Sequence, residues 1–171
     1  MKRYYLDLFA GIGGFALGAW LAGVRFDGHY FSEIDKYASS IYTKHFPDAI
    51  GLGDIKGIMG RDLPEGSWVL SGGFPCQDIS SLGKRLGLDG SRSGLWWEYA
   101  RLIGEVRPRF ALVENVGDLA VRGLDRVLGS LAAVGYDAVW QDICARDVGA
   151  PHRRERLWLV AYPSFTPPPR Q

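Results

Sequence analysis

The sequence predicts an α/β fold built on a mostly parallel sheet, and three observations lead to this prediction. Apolar runs of strand length alternate with longer segments of helical period, which is the pattern of a parallel sheet covered by helices. A glycine-rich turn at residues 11–14 follows the first apolar run, where such a sheet passes from strand to helix. The last two apolar runs have no helical segment between them, so we expect them to pair antiparallel at one edge.

The elements follow from this alternation. The predicted strands are short apolar runs, namely Tyr4–Phe9, His29–Ser32, Trp68–Ser71, Arg109–Glu114, Tyr136–Cys144 and Arg156–Ala161. The predicted helices are Gly13–Ala22, Lys36–His45, Leu95–Val106 and Leu124–Ala133. Residues 78–93 are rich in glycine, serine and charge, which predicts a long loop. Prolines after Ala161 predict a tail that does not continue a sheet, so we expect one domain over residues 1–162 and a proline-rich tail or linker over residues 163–171.

Length and composition bound the classes of function. With 171 residues the chain fits one domain, and 47% hydrophobic and 23% charged residues are ordinary for a globular protein. A net charge of +1 provides no general attraction for nucleic acid, so such binding must rest on a local patch. The cysteine count, two, does not suggest a disulfide framework, and we expect a cytoplasmic location. No apolar run approaches a membrane span and the start does not resemble a signal peptide, so no membrane partner is expected.

Cys76 is the residue that points most directly to chemistry. It follows an apolar run, in the glycine-rich segment Gly-Gly-Phe-Pro-Cys-Gln at 72–77. A cysteine on a proline-braced loop at the carboxyl end of a strand is placed to react, whereas a structural cysteine usually lies inside a helix or strand. Glu114 follows another apolar run, so in a parallel sheet its carboxylate reaches the same edge. The pattern therefore predicts a nucleophile and an acid in one cleft.

The turn after the first strand predicts a nucleotide-like cofactor. Gly11, Gly13 and Gly14 let backbone N–H groups approach a ligand at the start of a helix. Their spacing is not the dinucleotide fingerprint, and a glycine turn alone is equally typical of an ordinary strand-to-helix connection. Glu33 favours the cofactor, because an acidic side chain at the end of the second strand can hold both ribose hydroxyls. Asp54, after a third short segment, is similarly placed for an adenine amino group.

A short basic cluster at residues 152–156 leads into the last strand. Such a cluster is most often a solvated strand entrance. Arg154 and Arg156 share strand parity, however, and can point together toward an anionic ligand.

Several other distinctive residues are expected to serve packing. Cys144 lies within an apolar run and is predicted to be a buried, inert thiol. Trp96 and Trp97 are predicted to divide between core and loop packing. His29 and His45 have no cysteine or carboxylate at ligand spacing, so no metal site is predicted.

Together these motifs resemble the cytosine-C5 DNA methyltransferase family. The matching segments occur in family order over about residues 4–162: Asp-Leu-Phe-Ala-Gly-Ile-Gly-Gly-Phe at 7–15, Glu33 with Asp35, Gly-Gly-Phe-Pro-Cys-Gln at 72–77, Glu-Asn-Val at 114–116 and Arg-Arg-Glu-Arg at 153–156. His152 stands where the family commonly has glutamine. The family's target-recognition region, and the closing helix with its Asn-containing motif, are not found in these 171 residues.

The resemblance implies a Rossmann-like methyltransferase fold and methyl transfer from S-adenosylmethionine to C5 of cytosine in double-stranded DNA. Cys76 would add to C6 of a flipped base, Glu114 would act at N3, and Arg154 would stabilise the same edge and orient Glu114. Arg156 joins the implied catalytic set. The implied cofactor residues are Asp7, Phe9, Gly11, Gly13, Gly14, Glu33, Ile34, Asp54, Ile55, Pro75 and Leu95. The implied substrate residues are Pro75, Gln77, Ser80, Asn115 and Val116.

Three alternatives stay open from sequence alone. A tRNA cytosine-C5 methyltransferase shares the thiolate and the glutamate. A catalytically silent cofactor-binding remnant, or one subunit of a split methyltransferase, agrees with the missing recognition region, although Cys76, Glu114 and Arg156 are intact. A dehydrogenase fits least, because its glycine spacing differs and it leaves Cys76 with Glu114 unexplained. We expect a prokaryotic or phage restriction–modification setting and a second polypeptide that carries the recognition region.

Overall fold

A computed structural model of the chain describes residues 1–75 and 94–165. Within these residues one sheet contains seven strands: β1 (Arg3–Leu8), β2 (Gly28–Ser32), β3 (Ile50–Gly51), β4 (Ser67–Gly73), β5 (Phe110–Val116), β6 (Tyr136–Cys144) and β7 (Glu155–Pro163). The α-helices described are α1 (Gly14–Leu21), α2 (Lys36–His45), α3 (Leu95–Val106), α4 (Leu119–Arg122) and α5 (Leu124–Ala133). Short 3₁₀ helices lie at Ile55–Gly57, Gly60–Asp62 and Ala145–Val148.

The sheet is mostly parallel, as the sequence predicts. Its strand order is β3-β2-β1-β4-β5-β7-β6, with parallel pairing from β3 to β5 and antiparallel pairing of β7 with both β5 and β6. The order runs in opposite directions from β1 and from β4, so the crevice between their carboxyl ends is the topological switch point. In open α/β sheets, ligands bind at such a point.

The predicted elements are confirmed, with small changes at their ends. The bounds of α2, α3, α5 and β6 are those predicted. β1 ends before Phe9, whose backbone has φ 52° and cannot continue an extended strand. β4 continues two residues further than predicted, through Gly72 and Gly73. The prediction that the sheet stops at Ala161 is wrong, because β7 continues to Pro163, and the proposed boundary after residue 162 falls inside that strand.

Helices pack on both faces of the sheet because side chains of β1 alternate between them. Tyr4, Leu6 and Leu8 belong to the larger core, which the apolar side of α3 and α5 completes. Tyr5 belongs to a smaller core on the opposite face, with Ala16 of α1 among its members. No helix in the described ranges is long and apolar enough to cross a membrane.

The residues that the structure describes cover the second face only in part. Beyond α1, a trough of about 950 Å³ runs along the sheet. Its floor and wall are largely apolar, with Tyr5, Phe15, Val69, Leu112 and Trp158 among the lining residues. Sheets of this kind normally have both faces buried, so the part of the chain that the structure describes leaves an incomplete layer here. We call this surface the open trough.

Candidate active site

The carboxyl ends of β4 and β5 bring the predicted catalytic segments together. The two strands pair in parallel, with Gly73 opposite Glu114. Pro75 is the last residue described after β4, so the predicted catalytic Cys76 and the predicted substrate residues Gln77 and Ser80 lie outside the described residues, as does the predicted loop at 78–93. What the structure does define is the support on either side of the cysteine segment.

Glu114 forms an ion pair with an arginine of the neighbouring antiparallel strand. Arg156 Nε lies 2.8 Å from Glu114 Oε1, and the two side chains are 21% and 25% exposed. The pairing places Trp158 opposite Glu114, and Arg156 lies two residues before Trp158 in β7, on the same face. Both side chains also line one end of the open trough.

The prediction that Arg154 orients Glu114 is therefore wrong, because Arg156 makes that contact. Arg154 precedes the first residue of β7 and has an exposed side chain. Its carbonyl accepts a hydrogen bond from Ala145 N at 3.0 Å, and its side chain lines the open trough near Arg156. Shared strand parity suggests equal roles for the two arginines, but only Arg156 lies far enough along the strand to meet Glu114.

Two glycines let the strand ends approach closely. A Cβ atom on Gly73 would lie 2.5 Å from Glu114 Oε2, and one on Gly72 would lie 2.6 Å from the Leu8 carbonyl oxygen. The Leu8 backbone leaves no room for a side chain at position 72, and a side chain at position 73 would have to displace the Glu114 carboxylate. Gly73 thus provides the space in which the Glu114 carboxylate lies, three positions before Cys76 in the chain.

Asn115 supports the segment that leads to Cys76. It is 2% exposed, its Nδ2 donates to the Phe74 carbonyl at 3.1 Å, and its Oδ1 accepts from Val116 N at 2.9 Å. The predicted substrate contact of the Asn115 side chain is therefore wrong, since both of its polar ends are engaged inside the protein. Phe74 is itself buried against Trp96, with ring centroids 5.2 Å apart.

The glycine turn is held by Glu33. Gly11 N donates to Glu33 Oε2 and Asp35 N donates to Glu33 Oε1, both at 2.8 Å. Gly11 and Gly13 have φ of 54° and 98°, a conformation that other residues rarely adopt. A Cβ on Gly13 would also lie 2.8 Å from the Phe46 ring. Glu33 is partly exposed, and each carboxylate oxygen can accept a further hydrogen bond.

Asp7 lies beneath this turn in a buried polar network. Its carboxylate accepts from Ser71 Oγ at 2.7 Å and from Tyr42 Oη at 3.1 Å, and a further hydrogen bond of 2.6 Å joins Tyr5 Oη to Ser71 Oγ. Burial raises the pKa of the Asp7 carboxyl to about 7, although the hydrogen bonds from Ser71 and Tyr42 oppose this shift. Because Asp7 is fully buried, the prediction that its side chain contacts a cofactor is wrong.

The remaining predicted cofactor residues surround the switch point on the other side. Ile34 is 73% exposed directly after Glu33, and Asp54 is exposed at the start of a 3₁₀ helix. One Asp54 oxygen accepts from Lys56 N at 3.0 Å, which leaves its second oxygen to face outward. Ile55 is 3% exposed and belongs to the core, so its backbone rather than its side chain is available. Leu95 is partly buried as the first residue of α3.

Comparisons with known proteins identify the family of the chain. A family model described as C-5 cytosine-specific DNA methylase matches residues 4–167. The chain belongs to this family. It is 40% identical over 94% of its length to the type II methyltransferase M1.ScrFI of Lactococcus lactis subsp. cremoris, covering 42% of that protein. It is 33% identical to the type II methyltransferase M.HhaI of Haemophilus parahaemolyticus over 92% of this chain and 48% of the relative.

Solved structures show the same fold. The S. pombe Dnmt2 methyltransferase superposes with a TM-score of 0.77 at 22% identity, over 98% of this chain and 52% of that one. A Spodoptera frugiperda DNMT2 mutant superposes with a TM-score of 0.79 at 20% identity, over 99% of this chain and 53% of that one. The chain thus spans about half the length of the methyltransferases it matches.

In this member of the DNA methylase family, the structure also tests the packing predicted for the two adjacent tryptophans, Cys144 and His29. Trp96 is fully buried, which confirms the predicted core packing, whereas Trp97 is 42% exposed and its packing against a loop stays a prediction. Cys144 is partly exposed, so the prediction of a buried thiol is wrong; it ends β6, where the strand leaves the core. His29 packs as predicted, with Nε2 2.7 Å from Tyr42 Oη, and burial lowers its pKa. No group of three potential metal ligands occurs in the described ranges.

Proposed function

We propose that this chain is the catalytic and cofactor-binding part of a DNA cytosine-C5 methyltransferase that uses S-adenosylmethionine. The observation that carries the proposal is the Glu114–Arg156 ion pair, set against Gly73 at the end of the strand that leads into Cys76. The domain proposed for this function covers the sheet through β7, with the proline-rich residues beyond it as a linker. A cytoplasmic location accompanies this proposal.

The residues at the switch point fit S-adenosylmethionine. The unfilled hydrogen-bonding capacity of Glu33 would hold the ribose hydroxyls, and the outward oxygen of Asp54 would accept from the adenine amino group. Exposed Ile34 and partly buried Leu95 would contact the flat faces of the base. When bound, the cofactor supplies an electrophilic methyl group on a sulfonium. Phe9, Pro75 and the glycines at 11–14 remain proposed contacts.

The chemistry follows from the weakness of C5 of cytosine as a nucleophile. Addition of the Cys76 thiolate to C6 would turn the ring into an enamine, with electron density moved onto C5 and N3. Glu114 would donate a hydrogen bond or proton at N3, and Arg156 would fix the position of its carboxyl group. C5 would then form its bond to the methyl group as the bond from that group to the sulfonium sulfur breaks, with S-adenosylhomocysteine as the leaving group. Loss of the C5 proton to a base would restore the double bond and expel the Cys76 sulfur.

The Arg156 guanidinium has a second use in this scheme. It donates only through Nε to Glu114, and Nη1 donates to the Glu155 carbonyl at 2.7 Å. The planar fork keeps further N–H groups, which suit an oxygen on the ring or the DNA backbone. Substrate contacts by Pro75, Gln77, Ser80 and Val116 stay proposals.

We infer that further polypeptide completes the enzyme, and the open trough left by the described residues supports this inference. Its apolar floor would be covered by an amphipathic helix, either from a longer chain or from a second polypeptide that also carries the DNA-recognition region. Because specific readout requires side chains against base edges, the present chain alone should show little sequence-specific methylation. The description of the matching family, C-5 cytosine-specific DNA methylase, favours DNA over tRNA as the substrate.

Transfer of radiolabelled methyl groups tests the proposal. The purified chain would be incubated with labelled S-adenosylmethionine and mixed-sequence duplex DNA, with and without the product of the neighbouring reading frame. Label in DNA as 5-methylcytosine supports the proposal, and label in tRNA alone would replace it with the tRNA alternative. Saturable binding of NAD, without binding of S-adenosylmethionine, would overturn it.

A further inference from the structure

Arg101 joins α3 to the segment that carries Asp54. Its Nη2 donates to the carbonyl oxygens of Ile58 at 2.9 Å and Ile55 at 3.3 Å. On its other side, Nε donates to Glu98 at 2.9 Å and Nη1 donates to Glu105 at 2.8 Å. The guanidinium is thus fixed by two carboxylates of its own helix while it holds two carbonyls of another segment.

Glu105 makes the connection a double one. Its Oε2 accepts from Gly60 N at 2.7 Å, while its Oε1 pairs with Arg101. A Cβ on Gly60 would lie 2.7 Å from Glu105 Cβ, so the backbone approaches the helix closely there. Burial alone would raise the pKa of the Glu105 carboxyl, but the hydrogen bonds from Gly60 and Arg101 outweigh it and lower that pKa.

The segment held in this way is short and turns tightly. Gly57 N donates to the Asp54 carbonyl at 2.9 Å and Ile58 N donates to the Ile55 carbonyl at 3.2 Å. Arg101 is therefore a second donor to the Ile55 carbonyl and the donor to the Ile58 carbonyl. At its other end, Ser32 Oγ donates to the Gly53 carbonyl at 2.7 Å. The Asp54 carboxylate is therefore carried on a turn tied to β2 before it and to α3 after it.

We propose that Arg101 is a positioning residue for the adenine end of the cofactor. α3 begins at Leu95, so by tying the 54–60 turn to this helix Arg101 fixes the separation between Leu95 and the Asp54 carboxylate. This inference rests on the proposed function, because it takes those two residues as the walls of the adenine pocket. Arg101 itself touches no ligand in this scheme. A lysine cannot replace it, because one ammonium lacks the planar fork that reaches both partners.

The test compares wild type, Arg101→Lys and the control Glu98→Gln, which keeps both carbonyl contacts of Arg101. Calorimetry measures binding of S-adenosylhomocysteine and of S-inosylhomocysteine, which lacks the adenine amino group. We expect Arg101→Lys to lower the preference for the adenosyl ligand about tenfold, with a small effect on the inosyl ligand and none in Glu98→Gln. Equal weakening of both ligands, or an unchanged preference, would overturn the positioning role.

Hydrogen exchange in the unliganded chain provides a second readout. Arg101→Lys should speed exchange at the Gly57, Ile58 and Gly60 amides and leave those of β5 unchanged. Unchanged protection of the 57–60 amides from exchange would show that Arg101 does not hold the 54–60 turn. Failure of the wild-type chain to bind either ligand would remove the proposed function, and with it the adenine role, while exchange would still show whether Arg101 holds the turn.

Discussion

Arg156 Nε meets Glu114 Oε1 at 2.8 Å across the antiparallel pairing of β5 with β7, and this contact ties the predicted acid to the last strand of the domain. The carboxylate occupies the space that the absence of a side chain at Gly73 leaves open. Its position is therefore set by two strands that are distant in sequence and adjacent in the sheet. The arginine, the glutamate and the glycine form one unit beside the cysteine segment.

This unit predicts different effects for the two neighbouring arginines. Arg156→Lys should lower the methyl-transfer rate by about a hundredfold, because a lysine cannot keep the same geometry to Glu114 and a misplaced catalytic group is costly. Arg154→Lys is the matched control and should have a much smaller effect, since Arg154 is exposed. Single-turnover kinetics measures both methyl-transfer rates in the chain joined to the unmatched part of a relative such as the M1.ScrFI methyltransferase. Equal losses in the two variants would contradict the assignment of Glu114 to Arg156.

Glu114→Gln should lower the chemical rate by about two to four powers of ten. The reason is that the carboxyl group acts on the cytosine ring and not on the cofactor. Affinity for S-adenosylhomocysteine should therefore remain close to that of wild type in calorimetry. A matching loss of affinity would indicate a folding role for Glu114 instead.

Gly73→Ala should also slow the reaction, by about a hundredfold, through displacement of the Glu114 carboxylate. A methyl group at this position would meet Glu114 Oε2 at 2.5 Å. Gly129→Ala on α5 is the matched control, because a Cβ there has no neighbour within 4 Å. Thermal unfolding should show both variants folded. Full activity in Gly73→Ala would mean that the carboxylate works from a different position.

Glu33→Gln should weaken S-adenosylhomocysteine binding by about tenfold. Glutamine has one acceptor oxygen where the carboxylate uses two, so either the Gly11 turn or the ribose loses a partner. Asp35→Asn, two positions along and at the start of α2, is the control and should bind nearly normally. If the two variants bind equally well, Glu33 is not the ribose residue.

The buried Asp7 predicts a pH-dependent stability. Burial raises its pKa to about 7 from an ordinary 3.8, so between these values the folded chain keeps a proton that the unfolded chain releases. The resulting stability is complete below about pH 4 and is lost as the pH rises through about 7, by on the order of a few kcal/mol. Asp7→Asn should lack this loss.

Urea unfolding of wild type and Asp7→Asn between pH 5 and pH 8 measures the difference. The groups facing Asp7 are Tyr5, Tyr42 and Ser71, with His29 beyond Tyr42. Burial raises the pKa of both tyrosines, so they stay neutral over this range, and His29 is common to both proteins. Parallel stability curves for the two proteins would show that Asp7 keeps its charge when buried.

Much of this architecture was open to prediction because periodicity records which residues are buried. The bounds of α2, α3 and α5 follow from apolar spacing alone. The two apolar runs that precede Gly72 and Glu114 likewise predict that these strand ends lie at one edge of a parallel sheet, and the pairing of β4 with β5 confirms this. Strand parity failed to separate Arg154 from Arg156, because the choice depends on the register of β7 against β5. Asp7 and Asn115 were misassigned because sequence shows a polar residue at a strand end and not whether its partners are internal.

Other contacts had no local signal at all. From sequence, Gly73 is predicted to be part of a glycine-rich loop. Only the parallel pairing of β4 with β5 shows that the Glu114 carboxylate occupies the space beside Gly73. The sequence pattern around Arg101 indicates only an exposed charged residue on an amphipathic helix. Its partners Ile55 and Ile58 are more than forty residues away in the chain, so packing alone identifies them.

Covalent trapping on DNA that contains 5-fluorocytosine tests the central claim most directly, since fluorine at C5 cannot leave as a proton does. The chain would be joined to the part of the M1.ScrFI methyltransferase that lies outside the match, as the polypeptide proposed to cover the open trough and to read the DNA sequence. With S-adenosylmethionine we expect a stable adduct that maps to Cys76, is absent in Cys76→Ser and persists in Cys144→Ser. An adduct that survives Cys76→Ser, or none from a protein that binds both cofactor and duplex, would contradict the account.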